Sequence, residues 1–194
     1  MIENFWAVFR IIDLQTIILA ALLFFIGYVL APTVYYKKVK WLTAYPFFII
    51  HLMDKYFKKD WPALTIFIVI FCLNSISLFI NLLSGWGILL PFILIIYTGL
   101  NIGVVMYHTL EGKFYYASLL NPVAILELPA AWISVAMGIQ FGLNRISSLS
   151  LYETISFSKY VDYFLFTVVP LLFLAAIIET VLIIVARKQE ADAD

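Results

Sequence analysis

Long apolar stretches alternate with short polar breaks along this chain, and the lengths of the stretches set the expected architecture. Leu14 to Ala31 is the first; Pro32 and the Lys37-Lys38-x-Lys40 cluster follow it. From Trp61 to Leu110 there is no Asp, Glu, Lys or Arg. A bilayer crossing takes about 20 residues, so this stretch is long enough for two, and "SGWG" (Ser84 to Gly87) divides it. The pattern predicts five spans, at about 14–31, 62–83, 88–107, 119–143 and 160–186. Lone apolar runs of this length satisfy their own backbone as helices, and the alternating ten-residue pattern of an outer-membrane barrel is absent. The expected fold class is therefore all-α, a polytopic transmembrane helix bundle forming a single domain over 1–194.

One segment fits neither span nor loop. "WLTAYPFFIIHLMDKYFKKDW" (Trp41 to Trp61) has a short apolar part containing Pro46 and His51, then Lys55, Lys58 and Lys59. At about 41–57 it reads as an interfacial or re-entrant helix, with aromatics at headgroup level and lysines on phosphates. A short sixth span is the alternative.

Composition agrees with the pattern. Hydrophobic residues make up 64% of the chain and charged residues 12%, where soluble domains sit near one half and one quarter. Net charge is zero, so the balance names no charged partner; the lipid bilayer is the expected surrounding, and nucleic acid is not an expected partner. The first charge is the acidic Glu3, and no small-x-small cleavage site follows the first apolar run cleanly, so that run is expected to be a retained anchor. Cys72 lies alone in an apolar run and reads as a small hydrophobe.

Charge placement orients the chain. With five spans, six lysines between 32 and 60 join Lys113, Arg187 and Lys188 on one side, nine in all, against Arg10, Arg145 and Lys159 on the other. The positive-inside rule then puts the N-terminus outside and the C-terminus in the cytoplasm. Six spans would give seven against five, with the C-terminus still inside.

Two carboxylates lie inside spans. Glu127 is the one charged residue between Phe114 and Asn144, and Glu179 lies in the fifth span. Counted from the same side, each is roughly 10–12 Å deep at 1.5 Å per residue, so the two are expected at matching depth on consecutive antiparallel helices. A charge there costs a few kcal/mol, about 2.5–3.5 at the bilayer centre. Such groups face a bundle interior, each other or a wet cavity, and side by side they do not both ionise easily, so a proton could be shared. The competing reading is a protonated glutamate that only braces helices. Pro129 withholds a hydrogen bond from Ile125 in the turn that carries Glu127. Pro122 lies seven residues earlier on the same face, so Pro122 and Pro129 are expected to open the helix; a start proline and a plain kink are the alternatives.

Polar and small residues complete the picture. Asn74, Ser77, Asn81 and Ser84 share one face of the second span, Thr98 and Asn101 lie in the third, and Asn121 precedes the fourth. Asn74, Asn81, Asn101 and Asn121 are the expected partners of the glutamates, with interhelical glue as the plainer reading. Gly99-x-x-x-Gly103, and Ala130, Ser134, Gly138 and Gly142, are small-residue faces for close packing, within one chain or in a homodimer, which is the expected assembly. There is no HExxH, Gly-x-Ser-x-Gly, Walker loop or Cys/His metal spacing. No enzyme activity, cofactor or metal is therefore expected.

"NPVAILELPAAWISVAMGIQFG" (Asn121 to Gly142) resembles the signature helix of the stage II sporulation protein M family, integral membrane proteins of bacteria and archaea. The family pattern is roughly Pro-His-Gly-x-x-Glu-Leu-Pro-Ala followed by glycine-bearing apolar residues. Pro122, Glu127, Leu128, Pro129, Ala130, Gly138 and Gly142 match it, while Val123 and Ala124 stand at the histidine and glycine positions. "PLLFLAAIIET" (Pro170 to Thr180) resembles the later segment ending in a glutamate, here Glu179, and "FFIGYVLA" (Phe24 to Ala31) resembles the first span. The resemblance implies a multispan fold, importance for Glu127 and Glu179, and a role without the histidine. The founding member looks like a scaffold for a wall-degrading complex. Two functions are thus expected: a paired-glutamate site that binds or passes a proton, cation or small solute, or a non-catalytic scaffold that recruits other membrane or envelope proteins.

Overall fold

The computed structural model describes residues 12–56, 61–146 and 155–191. Glu3, Arg10, Lys58 and Lys59, used above for topology, lie outside them. The described residues are helical nearly throughout: α1 (Leu14–Tyr36), α2 (Lys40–Tyr56), α3 (Ala63–Leu83), α4 (Leu90–Thr109), α5 (Pro122–Asn144), α6 (Phe157–Tyr163) and α7 (Val169–Ala191). Tight 3-10 turns at Ser84–Gly87 and Tyr116–Leu120 precede α4 and α5. A π-helical turn, Phe164–Val168, joins α6 to α7 as one long span. Five helices are long and apolar enough to cross a membrane, and α2 is the sixth long helix.

Prolines mark the starts. Pro62 caps α3, and Pro91 and Pro122 sit in the first turns of α4 and α5, where a missing N–H costs nothing. Pro170 explains the π turn: it has no N–H to offer Phe166 and its ring crowds that carbonyl, and a widened turn just before it relieves both.

α1 and α4 end alike. In α1 the Val39 N–H bonds to the Val34 carbonyl and the Lys38 N–H to the Tyr35 carbonyl; in α4 the Gly112 N–H bonds to Tyr107 and the Glu111 N–H to His108. Both are Schellman closures, which need a left-handed residue past the helix end, usually glycine. Here that residue is Lys38 (φ 48°) and Glu111 (φ 50°).

Contacts fix the direction of every span. Phe24 meets Gly99, Tyr28 meets Gly103 and Tyr35 meets His108, so α1 and α4 run parallel. α3 and α5 are parallel to each other: Asn74 meets Glu127, Leu78 meets Ser134 and Asn81 meets Gly138. α7 runs against both, since Phe164 packs on Phe79 and Phe173 on Phe67. Because α3 turns back into α4 through Ser84–Gly87, α3 opposes α1. α2 therefore returns the chain to α3 on the side where α1 ended, without a crossing. It lies against α4 with Trp41, Tyr45 and Phe48 exposed, as an interfacial helix does.

α5 is the central helix. Every residue from Ile133 to Gly142 is buried, and α5 touches α1, α3, α4 and α7. Glycines permit the close approaches. A Cβ on Gly138 would meet the Asn81 carbonyl at 2.6 Å, and one on Gly142 the Gly85 carbonyl at 2.8 Å. Gly99 and Gly103 lie in the same way against α1, and Ser134 donates to the Leu78 carbonyl at 2.6 Å. Both small-residue faces are thus used inside the chain, α4 on α1 and α5 on α3. Outward-facing Leu, Ile, Val and Phe on α1, α3 and α7 present apolar surface to lipid.

Candidate functional site

Three neighbouring helices carry an amide and two carboxyls inside the bundle. Asn74 of α3, Glu127 of α5 and Glu179 of α7 are all partly buried. The Asn74 amide nitrogen donates to Glu127 Oε1, and Glu179 stands on α7, which packs against both α3 and α5. α3 and α5 are held in register by Ser134 and Gly138, while on the antiparallel α7 the Phe173–Phe67 and Phe164–Phe79 contacts set Glu179 nearer the start of α3 than Asn74. Glu179 precedes Arg187 by two helical turns, about 12 Å, and Arg187 donates to the Trp61 carbonyl at 3.4 Å at the start of α3. The carboxyl pair thus sits inside the bundle, below its lysine-rich end. An amide donor on one carboxyl favours holding a negative charge there, while repulsion between carboxyls on neighbouring helices opposes ionising both.

The other asparagines do not join this site. Asn121 caps α5: its Oδ1 accepts from the Ala124 N–H at 2.8 Å and its Nδ2 donates to the Ser118 carbonyl at 2.7 Å. Asn81 is buried two turns further along α3, where Ser84 donates to its carbonyl at 2.6 Å. Asn101 lies on α4 with its side-chain oxygen buried and without a hydrogen-bond partner. Pro122 starts α5 and opens nothing, and the helix continues unbroken through Pro129. The expectation of a proline-broken helix is corrected accordingly. Pro129 leaves only one carbonyl, that of Ile125, without its helical donor.

A second polar feature escaped the sequence reading. Tyr28 and Tyr115 stack with ring centroids 4.4 Å apart and planes 8° apart. Each hydroxyl donates to the other residue's backbone carbonyl, Tyr28 to Tyr115 at 2.8 Å and Tyr115 to Tyr28 at 2.6 Å. Ser118 Oγ lies 2.9 Å from the Tyr28 hydroxyl. Burial and the adjacent Tyr28 push the Tyr115 phenol up, keeping it a donor. Tyr28 is two turns from the end of α1, so the link between α4 and α5 folds back among the helices. Non-helical backbone survives at such depth only when protein covers it and satisfies its polar groups. The available signal was Tyr28 in helical step with Phe24 and Ala31.

A bundle of apolar helices, five of them long enough to cross a membrane, defines a polytopic integral membrane protein. The chain belongs to the Stage II sporulation protein M family, whose model matches residues 16–182. No curated protein and no solved structure shows a significant match.

Proposed function

We propose that Glu127 and Glu179, with Asn74, form a non-catalytic protonatable site through which the protein binds or passes a proton, a cation or a small solute. The observation that carries this reading is the Asn74–Glu127 hydrogen bond between α3 and α5, with a second carboxyl, Glu179, on the helix that packs against both, since intramembrane acids are costly and usually functional. The lysine-rich end, with Lys37, Lys38, Lys40, Lys113 and Lys188, is proposed to face the cytoplasm, which places the C-terminus there. The alternative of a scaffold would have to recruit through the lysine-rich end, because the small-residue faces are filled within the chain. A homodimer would have to use other surfaces.

The test is reconstitution of Glu127→Gln, Glu179→Gln and the parent into vesicles with an internal pH dye and a panel of monovalent and divalent cations. Protonated-carboxyl infrared bands are read on the same samples. Loss of flux or of a titrating carboxyl band in either variant, with insertion unchanged, is the expected result. Normal behaviour of both variants would reduce the glutamates to braces and end the proposal.

A further inference from the structure

A cleft of about 570 Å³ opens at the lysine-rich end, where the ends of α1, α2 and α4 meet. Tyr35 and Tyr36 from α1, Ile50 from α2, and Tyr107, His108 and Glu111 from the end of α4 line it. Its aromatic wall is fixed by pairwise bonds. Tyr35 Oη lies 3.0 Å from His108 Nδ1, and Tyr36 Oη lies 2.7 Å from Tyr107 Oη. The wall lies at the last turns of α1 and α4, the level of lipid headgroups.

Three features give this cleft one electrostatic sign. Among the described residues that line it, Glu111 is the one carboxylate, and none is a lysine or arginine. Aromatic ring faces carry negative potential and attract cations. α1 and α4 run parallel, so the negative ends of both helix dipoles point to the same place. An ammonium suits such a wall; a carboxylate or bare phosphate does not. The rim has the opposite character. Lys38 occupies at the end of α1 the left-handed position that Glu111 occupies at the end of α4. Glu111 thus lines the aromatic cleft, and Lys38 stands outside its lining, two residues past Tyr36. The Glu111–Lys113 contact, at 3.6 Å between two well-exposed side chains, is the kind of pair that exchanges readily.

We propose that this cleft binds the headgroup of a zwitterionic phospholipid, with its ammonium against Tyr35, Tyr36, Tyr107 and Glu111 and its phosphate toward Lys38. The site is separate from the glutamate pair and does not depend on that pair's role.

The full chain, delipidated in detergent, is offered equal amounts of phosphatidylethanolamine, phosphatidylcholine and phosphatidylglycerol with identical acyl chains, and bound lipid is read by native mass spectrometry. Ammonium-bearing lipids are expected to be enriched at least fivefold over phosphatidylglycerol, and Glu111→Gln and Tyr36→Leu each to cut that enrichment at least threefold. Glu111 is exposed, so its variant leaves the fold intact and keeps the test sharp. Phosphatidylglycerol retained as well as the others, or enrichment untouched by Glu111→Gln, would overturn the proposal. Tetramethylammonium separates lipid from free amine. Displacement only at more than a hundredfold excess supports the headgroup, and tight saturable binding of the small cation assigns the cleft to a free amine instead.

Discussion

At the scale of single residues, backbone conformation and chemistry pull in opposite directions at Lys38 and Glu111. A side chain in the left-handed region costs roughly 1–2 kcal/mol, and glycine is the usual occupant. Glu111→Gly is therefore expected to raise thermal stability in detergent by the equivalent of about 0.5 kcal/mol, part of the gain being lost to the freer unfolded chain. Lys38→Gly should do the same. Lower melting temperatures in both variants would show that these side chains make stabilising contacts beyond those described. Neither position was legible in the sequence, because a Schellman closure without glycine leaves no compositional mark. Glu127 and Glu179 were legible for the opposite reason: a carboxylate in an uncharged run stands out by its insertion cost. Asn74 could be placed on a polar face, but only the register between α3 and α5 shows that it, and not Asn81, reaches Glu127.

At the scale of elements, α5 depends on what grips it at each end. Its start is tied down by Asn121, Ser118 and the Tyr28–Tyr115 clasp. Tyr115→Phe removes one buried donor to the Tyr28 carbonyl and is expected to destabilise by about 1 kcal/mol, visible as a lower unfolding temperature and faster proteolysis between α4 and α5. An unchanged proteolysis rate would show that the clasp does not hold the link. At its far end, Arg145 donates to the Trp86 carbonyl at 2.9 Å and lies 4.7 Å from that ring's centroid. Close packing sets a harder limit along the α1–α4 seam. Gly103 faces Ala31 Cβ, the Tyr115 hydroxyl and the Tyr28 carbonyl, so Gly103→Leu is expected to cost roughly 3 kcal/mol or more through overpacking. Recovery of folded Gly103→Leu in normal yield would contradict that. The glycine spacing showed where helices approach closely; it did not name the partner helix, since every outward face of the bundle is equally apolar.

At the scale of the molecule, the number of crossings follows from helix direction. The sequence left five and six spans open because Trp41 to Trp61 is apolar enough for an interface and too short and basic for a confident crossing. The parallel pairing of α1 with α4 decides it, since a crossing by α2 would have set them antiparallel. Single cysteines in a Cys72→Ser background test this: Lys37→Cys and Lys113→Cys should react with impermeant maleimide from one face, and Lys159→Cys from the other. Labelling of Lys37→Cys together with Lys159→Cys would restore the sixth crossing.

That pairing also has a consequence for how the protein is made. Gly27 sits under the Ile96 carbonyl and the Leu100 nitrogen, contacts that do not exist until α4 has left the ribosome. Until then α1 stands in the bilayer with its glycine notch facing acyl chains, while α2 and α3 are synthesised and inserted between the two partners. The bundle is therefore closed late, by the arrival of its third apolar span, α4, and then of α5. A ribosome-stalled chain ending before Leu90 should hold α1 as a lone, freely rotating helix.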